Sequence, residues 1–161
     1  MKRLILVALA VVCTAAPAAA AGVANVSGGG ALALATLVGQ HAPYLSLAQK
    51  AVLRKYLDGR ASAKFPKSAT FAVKADSVVC RASNVDITAH SCELTFGAKK
   101  VSLKGRLAHE LYATLVENGV PSDGAAGSIF EAIGALDCAI DPGAIADRAG
   151  AGATCTIAPA H

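Results

Sequence analysis

Four cysteines place the strongest constraint on this chain: Cys80 and Cys92 enclose one short segment, and Cys138 and Cys155 enclose another. A fifth, Cys13, falls in an opening stretch of a different kind. Lys2 and Arg3 precede the apolar run 4–12, and Pro17-Ala18-Ala19-Ala20-Ala21 ends it in small residues. That is the pattern of a secretory signal peptide over residues 1–21, too short for a permanent membrane span. Val12 before Cys13 argues against a lipid-anchored start at that cysteine. An exported chain with an even cysteine count predicts two disulfides, in the periplasm or outside the cell. Four cysteines allow three pairings. Cys80–Cys92 and Cys138–Cys155 are favoured, because each pair flanks a short loop between strands that double back on each other.

Removing the leader leaves roughly 140 residues, the size of one domain. Residues 22–42 read as a flexible or partly helical N-terminal segment, with glycine over 22–30 too dense for a stable element and a short helix over 31–38. Residues 43–161 read as a single globular domain. Ser46-Leu47-Ala48-Gln49 is a capping box that opens a helix over 47–57. Its apolar face would carry Ala48, Val52, Leu53, Tyr56 and Leu57, and Gly59 would stop it. From residue 70 to 104 the period changes to two. Phe71 and Val73, residues 78–80, Val85 and Ile87, then Cys92, Leu94 and Phe96, and finally Val101 and Leu103 form short runs. Turn residues at 75–76, 83–84, 89–91 and 97–100 separate them, giving a meander of three or four antiparallel strands.

A second helix spans 106–118, with Leu107, Leu111 and Leu115 in line, an Arg106–Glu110 pair, and Gly119 as its stop. The alternation of Phe130, Ala132, Gly134, Leu136, Cys138 and Ile140 favours a strand, firmest from Ala135. A loop after Pro142 leads to a last strand over 153–157. The fold class is therefore α+β: an antiparallel sheet of about five or six short strands, two main helices packed on one face, and two disulfides. Leu107, Leu111, Leu115, Val52, Tyr56, Phe71, Leu94 and Phe96 are the predicted core. Residues 79–80 and 92–94 faintly echo 137–138 and 155–157, which reads as a shared strand–loop–strand device rather than a repeat.

Charge is distributed unevenly. Eight basic residues face two acidic ones between Lys50 and Arg81, whereas five basic face nine acidic from Ala82 onward. Lys50, Arg54, Lys55, Arg60, Lys64 and Lys67 make a candidate face for an acidic protein or an anionic envelope surface. With no tryptophan and few aromatics among these cations, there is no stacking platform for nucleic acid. No later run of about 20 apolar residues offers a transmembrane span.

No phosphate-binding glycine loop or metal-ligand spacing is present, so no cofactor or metal is expected. Of the histidines, His41 sits in a loop before Pro43, and His109 reads as lying on the polar side of its helix beside Glu110. His90 has Asp86, Ser91 and Glu93 for neighbours, the one place where a base, carboxylates and a hydroxyl crowd together. That crowding is also what an ordinary solvent-facing turn looks like, and the sequence names no catalytic residue. Binding is favoured over catalysis, with a hydrolase-like enzyme around His90 and a structural envelope protein as the alternatives.

Overall fold

The structure, a computed structural model, describes residues 23–57, 70–120, 122–123, 129–147 and 152–158. The predicted leader, together with Gly59, Arg60, Lys64 and Lys67, lies outside the described residues. Seven strands form one antiparallel sheet: β1 (Ala24–Ser27), β2 (Phe71–Ser83), β3 (Ser91–Phe96), β4 (Lys99–Lys104), β5 (Ser122–Asp123), β6 (Ile129–Ile140) and β7 (Ala153–Ala158). The order is β1-β7-β6-β2-β3-β4, with the two-residue β5 paired to β6. The helices are α1 (Gly28–Gly39), α2 (Leu47–Leu57), α3 (Arg106–Glu117) and the short α4 (Pro142–Asp147).

Strand pleating decides the layers. Val73, Ala75, Val78, Cys80 and Ala82 on β2, Cys92, Leu94 and Phe96 on β3, and Leu136, Cys138 and Ile140 on β6 are all buried. The alternate residues Lys74, Asp76, Arg81 and Asp137 face solvent on the opposite side. α1 and α3 cover the buried face, and α2 packs against α1. Gly39 permits that approach, since a Cβ there would come within 2.5 Å of Leu53 Cδ1. The capping box at α2 forms as expected: Ser46 Oγ accepts the Gln49 N–H at 3.3 Å, and Gln49 Oε1 accepts the Ser46 N–H at 2.9 Å.

Both disulfides form, Cys80–Cys92 and Cys138–Cys155, each between residues directly opposite in register. Each lies beneath a helix. Cys155 Sγ is 3.3 Å from the Ala31 carbonyl of α1, and Cys92 Sγ is 3.4 Å from the Ala108 carbonyl of α3.

The sheet reads alike from its two edges. β1 runs into α1 through Gly28 (φ +67), and β4 runs into α3 through Gly105 (φ +59). Val26 pairs with Cys155 as Leu103 pairs with Cys92, and Ala31 and Ala108 each follow that paired residue at the same interval. The chain is thus two β-α-β-β units, β1-α1-β2-β3 and β4-α3-β6-β7, that exchange their first strands. The echo around the cysteines belongs to this larger repeat of architecture.

Several local expectations change. Residues 24–30 form β1 and the first turn of α1, because the β7 ladder and the buried face of the sheet supply contacts that glycine-rich sequence lacks by itself. Phe71–Ser83 is one strand with an irregularity between Ala75 and Val78, where a turn was expected. Leu107 is 50% exposed, because the face of α3 is set by Ala108, Leu111 and Leu115, and Leu107 lies a quarter-turn off it. Ala48 is likewise exposed on α2, whereas Val52 and Leu53 are buried. Phe71 is half-buried against the core, and the Tyr56 side chain lies outside the described ones. Asp141 caps α4, its Oδ1 accepting the Gly143 N–H at 2.9 Å, with Pro142 at the first helical position where a loop was expected.

Candidate binding site at a histidine pair

Sheet register places His90. Ser91 pairs with Lys104 at the end of β4, and the next residue, Gly105, donates its N–H to the His90 carbonyl at 2.9 Å. Gly105 turns the chain into α3, and one helical turn later the His109 N–H donates to the Gly105 carbonyl at 2.9 Å. The second imidazole is thereby set against the first, with ring centroids 4.7 Å apart, planes at 65° and the two Nδ1 atoms 3.2 Å apart. Tyr112 presents its ring edge-on to His90 at 6.2 Å.

The hydrogen bonds assign the tautomers. His90 Nε2 lies 2.8 Å from the Ser83 carbonyl, which can only accept, so Nε2 carries the proton. Neutral His90 therefore keeps its lone pair on Nδ1, and the His109 Nδ1–H donates to it. The lone pair of His109 is then on Nε2, and no other described group bonds that atom.

Between Ser83 and His90 the chain leaves the sheet. Ser83 Oγ accepts the Val85 and Asp86 N–H groups, both at 3.1 Å. Asp86 Oδ1 accepts the Thr88 N–H at 2.8 Å and its hydroxyl at 2.7 Å. Such local bonds offer the backbone an alternative to ladder pairing. Residues 87–89 form a 3₁₀ turn, and Val85 and Ile87, expected on a strand, are 84% and 48% exposed. The Thr88 hydroxyl and then its N–H hold the Asp86 carboxyl below the usual carboxylate value, with the nearby His90 adding a smaller effect. This loop and α3 enclose a cleft of about 470 Å³ lined by Val85, Ile87, His90, His109 and Tyr112. Its size suits a small ligand or a single anchoring side chain.

The neighbours that drew attention to His90 in the sequence are not its partners. Asp86 is engaged by Thr88, and Glu93 pairs with Lys100 at 2.8 Å. Ser91 and Glu93 point to the opposite face of the sheet, as alternate residues on a strand must. His109 and Tyr112 take their place. His109 is half-buried against His90 rather than on a solvated helix face.

The repeated architecture supplies an internal reference. His90 corresponds to Ala153, which precedes Thr154 and the disulfide cysteine as His90 precedes Ser91 and Cys92. His109 corresponds to Leu32, the residue after Ala31. Ala153 and Leu32 are 2% and 0% exposed. At these corresponding positions one half of the fold has two buried apolar side chains and the other has two imidazoles.

On α2, Lys50, Arg54 and Lys55 flank a smaller groove of about 250 Å³ together with Leu47, which is 87% exposed. Arg54 Nη2 donates to Gln40 Oε1 at 3.1 Å. The structure thus brings these three cations of the predicted basic face together. No family model, curated protein or solved structure matches the chain.

Proposed function

We propose that this chain is a small exported module that works by binding, and that its recognition site is the cleft between the 83–90 loop and α3. The observation that carries this reading is the imidazole pair at a position where the other half of the same fold has Ala153 and Leu32. Folding does not require polar groups there, and burying His90 at 5% exposure costs free energy unless its nitrogens are bonded. The exposed Val85 and Ile87 beside Tyr112 supply apolar anchoring surface, and His109 Nε2 supplies one directional polar group. The ligand that fits has an apolar group for the cleft and a polar atom for the imidazole. Two disulfides, one closing the hairpin that carries the loop, and the leader-like opening residues support an oxidising location.

The reading is tested by capture from an envelope extract, comparing the oxidised protein with Val85→Glu/Ile87→Glu. Loss of a saturable partner in the variant is expected. Capture that is unchanged would move the site away from this cleft. The α2 groove favours a second reading, an acidic protein or anionic surface held by Lys50, Arg54 and Lys55 beside Leu47. Charge reversal at Arg54, Lys55 and Lys64 together should then weaken capture at low salt, and added salt should weaken capture by the parent protein.

A further inference from the structure

We infer that His90 and His109 form a binding site for a divalent transition-metal ion, a role that deepens the cleft reading and rests on it only for its purpose, since metal uptake is measured without any partner. Three observations point there. First, the two Nδ1 atoms are 3.2 Å apart, a separation that metal–nitrogen bonds of about 2.0–2.1 Å span at an N–metal–N angle of roughly 100–106° once the His109 ring turns its Nδ1 off the hydrogen-bond axis to meet the His90 lone pair at the ion. Second, the Ser83 carbonyl takes the Nε2 proton of His90 at 2.8 Å, so the Nδ1 lone pair faces the site. That is the outer bond that orients a metal-bound imidazole and raises its basicity. Third, the pair lines an open cleft, so an ion has a path in and room for further ligands.

Binding is balanced without outside reagents. His109 moves its proton from Nδ1 to Nε2, the Nδ1–H···Nδ1 hydrogen bond is replaced by two metal–nitrogen bonds, and no net proton leaves a neutral pair. No group of three or more His, Cys, Asp or Glu is placed to hold an ion among the described residues, so the protein contributes two donors. Water, or an atom of a ligand in the cleft, takes the remaining positions. Two imidazoles without a carboxylate select borderline ions, with Cu²⁺ ahead of Ni²⁺ and Zn²⁺, over Ca²⁺ and Mn²⁺. The other titratable groups lining the cleft are Asp86 on the loop and Tyr112 on α3, while Glu110, beside His109 in the chain, is paired with Arg106. Asp86 adds a favourable negative charge but is bonded to Thr88.

The test uses the untagged, oxidised protein titrated with Zn²⁺ alone, followed by calorimetry and by the ¹⁵N shifts of the histidine side chains. Saturation at one ion per chain, with Nδ1 of His90 and His109 both shifting, is expected. His109→Leu, which copies Leu32 of the other half, should weaken binding by at least about tenfold while keeping the fold. His90→Ala/His109→Leu copies both reference residues and should fold yet bind no ion, and His41→Gln should bind as the parent does. No saturable uptake, or one-ion uptake that survives His109→Leu, would overturn the site. The capture experiment with Val85→Glu/Ile87→Glu is read separately, so failure of the cleft as a recognition site and failure of the metal site remain distinguishable.

Discussion

Leu107 and Leu111 lie four residues apart in the sequence, yet one is half exposed and the other fully buried. Both were predicted to be core, because leucines at this spacing share a helix face. The difference arises at single residues: Ala108, set beneath α3 over the Cys80–Cys92 disulfide, fixes the helix rotation that buries Leu111 and Leu115. Leu111→Ala should therefore cost about 2–5 kcal/mol in chemical denaturation, and Leu107→Ala well under half of that. His41 carries a pH signature. Burial, and secondarily Lys50, lower its pKa from 6.5 in the folded state. The unfolded chain then takes up the proton first, so this contribution is intact above pH 6.5 and declines as the pH falls towards the lower folded value. Thermal melts of His41→Gln should show a shallower loss of stability over that window than the parent. Asp86 acts lower on the scale: its folded pKa lies below 3.8, so its contribution is lost only as the pH drops beneath that value.

At the scale of elements, helix starts and stops were legible wherever a side chain bonds to its own neighbourhood. The Ser46–Gln49 capping box, the Arg106–Glu110 pair at 2.9 Å and Gly119 (φ +83) at the end of α3 all stand where the sequence puts them. Strands were less legible. Val85 and Ile87 have strand-like alternation, but Ser83 and Asp86 bond the backbone locally and turn the run into the rim of a cleft. β6 shows the opposite outcome: its alternation does form a strand, and Gly134 is needed there. A Cβ at Gly134 would lie 2.8 Å from the Ala158 carbonyl and from Ile157 Cγ2 where β7 passes. Gly134→Ala should destabilise by about 1–3 kcal/mol as overpacking against backbone, read as a lower denaturation midpoint. A neutral result would mean that β7 can shift at its C-terminal end.

Over the whole molecule, two β-α-β-β units exchange edge strands, and each disulfide ties the second strand of its unit to the third. The loops closed by the two bonds are each worth about 3 kcal/mol in chain entropy, together a large fraction of the 5–15 kcal/mol typical of a domain. Reduction under non-denaturing conditions should bring a steep fall in melting temperature, and non-reducing peptide mapping should yield only the Cys80–Cys92 and Cys138–Cys155 linkages. A reduced chain that melts like the oxidised one would show that the sheet holds without them. The sequence by itself determined the α+β class, the cysteine pairing and the main helices, because alternation, helical spacing, caps and short cysteine loops all depend on residues near one another in the chain. It also placed Lys50, Arg54 and Lys55 within about one and a half turns of one helix, where they flank one groove. Only the tertiary structure decided that Val26 of β1 and Ala31, Leu32, Leu34, Ala35 and Val38 of α1 lie inside the core, that β1 pairs with the last strand, and that His109 meets His90. Those contacts require the β3–β4 hairpin to close and Gly105 to turn α3 back over the sheet, and no local pattern encodes where a returning helix comes to rest.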